Sequence, residues 1–165
     1  MSSSPSSLNA FVGASQPADA RIVIVHSLWH EQIVHRLLTS CKKALLDQGI
    51  VPLETIAVPG AFELTFACRR YLETRGMGRE APEALIALGC VIRGGTPHFE
   101  YICQSVVQGL TSLNLSGQVP VIFGVLTADH EQQALDRSGG PQGDKGLEAA
   151  LTALRMVTLS RSWLG

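Results

Sequence analysis

The chain is short of charge. Of its 165 residues only 16% are Asp, Glu, Lys or Arg, and 13 cations against 14 anions leave a formal net charge of −1. With no basic excess there is no field to draw in nucleic acid or membrane phosphates, so neither partner is expected. No apolar run approaches the roughly 20 residues that cross a bilayer. The stretch Met1 to Asp19, rich in Ser, Ala and Pro, lacks the basic start and apolar segment of a secretory leader. A cytoplasmic protein is the expectation. Cys41, Cys68, Cys90 and Cys103 include no Cys-x-x-Cys pair and no clustered histidines. That argues against a zinc site or a disulfide framework and for reduced, mostly buried thiols. What the chain does have is apolar residues, at 45%. With so little charge beside them, much of the surface is expected to be covered by further subunits.

The length suits one compact domain. Residues 1–20 read as a flexible arm and 21–165 as a single domain. From Arg21 onward short apolar runs alternate with longer amphipathic stretches. Ile22-Val23-Ile24-Val25 is continuous and β-branched, as in a strand buried on both faces. A helical stripe runs from Glu31 to Gln48 through Ile33, Leu37, Leu38, Cys41, Ala44 and Leu45, and Gly49 ends it. Leu53 to Val58 predicts a second strand stopped by Pro59-Gly60, and Ala61 to Arg75 a second helix. Ala84 to Ile92 and Val119 to Leu126 predict two more strands, with a helix from Phe99 to Leu115 between them. Another helix begins at Glu131 to Asp136. A glycine-rich break, Ser138 to Gly143, then precedes a last amphipathic helix from about Lys145 to Trp163. Strand-then-helix repetition implies right-handed crossovers and a three-layer α/β/α sandwich on a four-stranded parallel, flavodoxin-like sheet.

Open sheets of this kind bind ligands outside the carboxyl ends of their strands, which here are followed by loops starting at His26, Pro59, Arg93 and Thr127. After the third strand comes Arg93-Gly94-Gly95-Thr96-Pro97-His98. Thr96 is a good helix cap, Pro97 suits the first helical turn, and two glycines let an anion approach backbone N–H groups closely. A phosphate fits at Gly95 and Thr96, although an ordinary capped turn has the same text. His98, in the first helical turn, suits general acid–base work beside such a site. After the first strand, Trp29 offers a face for a planar heterocycle, and His30 reads as an exposed helix-start residue. After the second, Ala61-Phe62-Glu63 places a carboxylate able to accept from hydroxyls. Arg137 and Lys145 flank the glycine-rich break as two cations suited to capturing an anionic group. A solvated loop is the plainer reading of those last two.

VPGAFE at 58–63, ALGCVIRGGTPHFEY at 87–101, VPVIFGVLT at 119–127, EQQALDRSGG at 131–140 and GDKGLEAAL at 143–151 together resemble lumazine synthases. The resemblance runs from Arg21 to about Leu159. It implies an enzyme of riboflavin biosynthesis, a transferase that condenses 5-amino-6-(D-ribitylamino)uracil with 3,4-dihydroxy-2-butanone 4-phosphate. The products are 6,7-dimethyl-8-ribityllumazine, phosphate and water, and neither cofactor nor metal is required. By the same resemblance Trp29 stacks on the pyrimidine, where Phe is commoner. Ala61, Phe62 and Glu63, with Cys90, Val91 and Ile92, hold the ring edge and ribityl chain. Gly95, Thr96 and Arg137 bind the phosphate, His98 transfers protons, and Phe123, Arg137 and Lys145 come from the neighbouring subunit.

The resemblance further implies homopentamers, stacking of twelve pentamers into an icosahedral shell, and riboflavin synthase as a candidate partner. The N-terminal arm is then expected along an adjacent subunit's sheet. Leu28 stands where many members carry a basic residue, and His30 where Asn is common. Pro141 and Asp144 are also unusual, in the loop that bears on how pentamers associate. Two other classes fit parts of the sequence. A lumazine- or flavin-binding relative without catalysis fits the altered first loop. A flavodoxin-like hydrolase lacks the required G-x-S-x-G elbow.

Overall fold

The computed structural model describes residues 17–117 and 119–164. Of the arm expected at 1–20, residues 1–16 lie outside that range, as does any contact they make. The strands are β1 (Ile22–Ser27), β2 (Glu54–Val58), β3 (Ala84–Ile92) and β4 (Val121–Ala128). They form one parallel sheet in the order β2-β1-β3-β4. Helices α1 (Glu31–Leu46), α2 (Leu64–Arg75), α3 (His98–Ser116), α4 (Glu131–Asp136) and α5 (Lys145–Trp163) complete the expected layers.

Because successive strand residues point to opposite faces, the continuous apolar runs feed two cores at once. Ile22, Ile24, Ile86 and Leu88 pack with Leu37 and Leu45 of α1 and Leu154 of α5. Val23, Val25, Leu85 and Ala87 pack on the other face with Leu64 and Cys68 of α2 and Leu110 of α3. Both strand interiors are sealed, so function is left to the strand ends and the outer edges.

Three local expectations change. The fourth strand starts at Val121 rather than Val119. Pro120 brings no N–H to the ladder, and the side chain of Asn114 instead brackets Val121, donating to its carbonyl and accepting from its amide, both at 2.9 Å. The helix read from Ala61 to Arg75 opens as a separate 3₁₀ turn, Ala61–Glu63, before α2. The Glu63 carboxylate turns back to accept from Gly60 N–H at 2.9 Å, which tightens that turn. The glycine-rich break is a small antiparallel hairpin, β5 (Ser138–Gly140) and β6 (Gly143–Asp144). Gly139 and Gly143, at φ of 95° and 105°, adopt the left-handed backbone it needs. Asp144 then caps α5 by accepting from Gly146 and Leu147 N–H, at 3.0 and 3.1 Å.

At the amino ends of the strands, α5 is tied down by charge. Arg161 donates to both oxygens of Glu83, at 2.7 and 2.8 Å, and to Asp19 at 2.8 Å. Glu83 also accepts from the Arg21 amide at 3.1 Å. Burial pushes the Glu83 carboxyl up, but the hydrogen bonds and charges of Arg161 and Arg21 outweigh it and hold the group below its ordinary 4.5. The Arg161 hydrogen bond and charge hold Asp19 below 3.8. Carboxyls lower in the folded than in the unfolded state stabilise fully above the unfolded values. That contribution is lost as pH falls through the folded ones. Glu83→Gln is therefore expected to cost about 1–3 kcal/mol at neutral pH. Thermal unfolding followed from neutral to acid should show the gap from wild type constant above pH 6 or so and closing below roughly pH 4.5. A gap that widened on acidification would contradict this assignment.

Candidate active site

The carboxyl end of the sheet is built by strands that stop at different heights. Pairing of β1 with β3 ends at His26 opposite Leu88, whereas β3 continues beside β4 to Ile92 opposite Ala128. Gly89 to Ile92 therefore keep one backbone edge free of the β1 ladder. Above the end of β1 the chain turns onto β2: Leu28 N–H donates to Val58 O at 2.8 Å and Trp29 N–H to Pro59 O at 3.1 Å. His30 then caps α1 at φ 58°, ψ 47°, a left-handed conformation rare outside glycine, in which Asn and His are over-represented.

This backbone path sets the indole of Trp29 over Gly60. A Cβ on Gly60 would lie 2.9 Å from Trp29 Cε3 and 3.2 Å from Glu63 Oε2. Trp29 remains 64% exposed and Phe62 53% exposed, two aromatic surfaces with no covering element among the described residues. The Glu63 carboxylate, expected to serve hydroxyls, commits one oxygen to Gly60. Cys90 has its side chain in the core on the α1/α5 face, and burial pushes its thiol up to about 12. It presents backbone to the free edge, not a nucleophile. Cys41 and Cys68 are likewise buried and held near 12.

The loop after β3 departs from expectation at its cap. Pro97, at φ −63°, ψ −2°, occupies the cap position of α3, and Thr96 makes no capping bond. With its backbone already in the helical basin, Pro97 ends the loop one residue later than a threonine cap would. Gly94, Gly95, Thr96, Pro97 and His98 are all exposed, and a Cβ on either glycine would meet nothing within 4 Å. Among the described residues the amides of Gly95 and Thr96 donate to no other group. His98 opens α3 beside them. An anion could sit against this backbone with an imidazole adjacent.

Phe123, Arg137 and Lys145 lie elsewhere. They line a groove of about 640 Å³ along the outer edge of β4, with Thr127, Glu148, Thr152 and Met156. None of Trp29, Ala61, Phe62, Glu63, Cys90, Val91, Ile92, Gly95, Thr96 or His98 lines it. Arg137 spends one donor on Gln133 O at 3.0 Å and forms no ion pair among the described residues, whereas Lys145 pairs with Glu148. The chain thus carries two incomplete surfaces. One has aromatic faces, a free strand edge, an amide cradle and an imidazole; the other has a guanidinium with no carboxylate partner, on a strand edge unpaired among the described residues.

Sequence reading passed over a third group. Arg93 reaches Asp129 at 2.8 Å and also Glu100, and its guanidinium stacks 4.3 Å from the centroid of Phe99. Partners 36 positions apart leave no periodic trace, so only the charge of Arg93 at a strand end could have marked it.

A family model for 6,7-dimethyl-8-ribityllumazine synthase matches residues 19–161. The chain belongs to the 6,7-dimethyl-8-ribityllumazine synthase family. Proteins of that description from Porphyromonas gingivalis and Parabacteroides distasonis are 48% and 44% identical to it, over 87% and 91% of this chain and 87% and 92% of their own. One from Cytophaga hutchinsonii is 42% identical over 95% of this chain and 98% of its own. The 6,7-dimethyl-8-ribityllumazine synthase match thus spans both incomplete surfaces, the hairpin between Arg137 and Lys145 included. Among the described residues there is no group of His, Cys, Asp or Glu that could hold a metal ion, and no helix is long and apolar enough to cross a membrane.

Proposed function

We propose that the chain forms 6,7-dimethyl-8-ribityllumazine from 5-amino-6-(D-ribitylamino)uracil and 3,4-dihydroxy-2-butanone 4-phosphate, in active sites shared between neighbouring copies. The observation that carries the shared site is the separation of the β4 groove, with Arg137, from the strand-end surface that holds His98. A planar, nearly neutral substrate needs stacking and hydrogen bonds, and a phosphate ester needs an anion site. Trp29 and Phe62 supply the first with the free edge of Cys90, Val91 and Ile92. Gly95 and Thr96 supply half of the second, and Arg137 of the next copy supplies the rest, with Phe123 and Lys145 beside it.

The ring amine attacks the ketone, and water leaves as the imine forms. Loss of a proton beside the imine expels inorganic phosphate and leaves an enol, the enol takes up a proton to become a methyl ketone, and the ribitylamino nitrogen closes the ring on that ketone with loss of water. Each step moves a proton near the phosphate end, where His98 stands. One carbon rises to the ketone level as its neighbour falls to a methyl, so no external oxidant or reductant is needed. Five copies closing a ring satisfy the reading that the exposed apolar surface is intersubunit surface; twelve such rings as a shell, a cytoplasmic location and riboflavin synthase as a partner extend it.

Mixing the protein with both substrates, and following lumazine fluorescence and phosphate release together, tests the activity. Equal rates of the two are expected. Ligand binding without either would leave a lumazine- or flavin-binding protein in its place.

Gly60 offers a separate check on ring stacking. Its alanine variant forces the indole of Trp29 or the Glu63 carboxylate to move. The KM for the uracil substrate is expected to rise about 3- to 10-fold, the worth of one aromatic stack, with the KM for the butanone phosphate unchanged. Equal rises in both would place Trp29 away from the ring.

A further inference from the structure

Arg93 ends β3 and begins the loop that carries the amide cradle and His98. That loop has little of its own to hold it. Two glycines and two other exposed residues separate Arg93 from the first turn of α3, and a Cβ on either glycine would meet nothing within 4 Å. Its fixed points are few. Arg93 N–H donates to Ala128 O at 2.9 Å, and Glu100 N–H to Pro97 O at 3.1 Å. The guanidinium joins them: Nε donates to Asp129 Oδ1 at 2.8 Å, Nη1 to Glu100 Oε1, and its face lies on Phe99. Asp129 is itself anchored, its amide donating to Gln133 Oε1 of α4 at 2.8 Å.

We propose that Arg93 is a positioning residue that braces the Gly94–His98 loop between the first turn of α3 and the turn after β4. This rests on the proposed activity, because it makes the brace serve the phosphate cradle and His98. An arginine beside an anion site would ordinarily be read as a ligand. Here two carboxylates already neutralise it, and its planar fork spans them both, in contrast to Arg137, which has no carboxylate partner among the described residues. A cation engaged in this way adds little field to a phosphate but fixes loop geometry, and small displacements of reacting groups are costly to rate.

The two roles give opposite signs. For a brace, Arg93→Gln lowers kcat about 10- to 100-fold while the KM for the butanone phosphate changes less than about threefold. Asp129→Asn shifts kcat in the same direction, and adding it to Arg93→Gln does little more, because the contact is already gone. Arg93→Lys, which keeps the charge but not the fork, behaves like Arg93→Gln. For a phosphate ligand, Arg93→Gln raises that KM by about 100-fold, Arg93→Lys rescues most of the loss, and Asp129→Asn tightens binding by freeing the guanidinium. That pattern, or wild-type kcat in all variants, overturns the proposal. Amide hydrogen exchange at Arg93 and Glu100, whose N–H groups donate to Ala128 O and Pro97 O at the two ends of the loop, gives a readout independent of turnover, expected to be about tenfold faster in Asp129→Asn at unchanged assembly size. Unchanged exchange overturns the brace even with an inactive wild type, whereas absence of lumazine formation by the wild type overturns the activity alone.

Discussion

Alanine at His98 is expected to lower kcat by about 10²- to 10⁴-fold and to leave measurable turnover. The ceiling follows from what the site does. It brings a ring and a phosphate ester into register, and effective molarity from such positioning exceeds what one proton-transfer group supplies. The reaction also has more than one proton transfer, and water reaches this exposed loop, so a missing imidazole is partly replaced. Binding should be little changed, because in the proposed site the cradle is backbone and the stacking surfaces are Trp29 and Phe62. Steady-state kinetics on lumazine fluorescence would then show a fall in kcat with both KM values within about threefold of wild type. Loss of activity far beyond the lower limit would mean that His98 does more than exchange protons. An unchanged kcat would remove it from the reaction.

Much of this was legible in residue order. The apolar run at 84–92 and the stripe from Lys145 to Trp163 define elements whose observed ends agree with the pattern, and the β-branched run at 22–25 marks a strand that continues to Ser27, because burial on both faces and helical periodicity act locally. The failures are equally local in origin. The hairpin at 138–144 escaped notice because glycine text reads as a loop when its pairing partner is only three residues away. Thr96 looked like a cap because threonine is a good one; Pro97 took the position because its ring already holds helical φ. The site residues are a different matter. Trp29, Gly95, Thr96 and His98 were singled out as candidates by strand-end logic, yet their separation from Arg137 and Lys145 depends on β4 being an edge strand. Strand order is set by long-range pairing and has no signature in a single segment. The brace at Arg93 is invisible for the same reason, its carboxylates lying in the first turn of α3 and in the turn after β4.

That separation leads to the strongest test of the shared site. Arg137→Ala removes the charge-assisted contact to the phosphate that we propose and is expected to raise the KM for the butanone phosphate by about 100-fold. His98→Ala damages the other surface. When the two variants are coexpressed and assemble at random, each site draws His98 from one copy and Arg137 from the next. A site is intact where an Arg137→Ala copy, still carrying His98, precedes a His98→Ala copy, still carrying Arg137. At equal amounts this occurs at about one site in four. Activity at low butanone phosphate should therefore return to roughly a quarter of wild type, though each variant alone retains about 1% or less. The recovery should vanish if the two substitutions are placed in the same chain and mixed with neither partner. It should also follow the product of the two mole fractions, peaking at equal amounts, since both kinds of copy are needed at each intact site. Activity equal to the mean of the two variants at every ratio would mean that each chain holds a whole site. The Arg137 groove would then need another purpose.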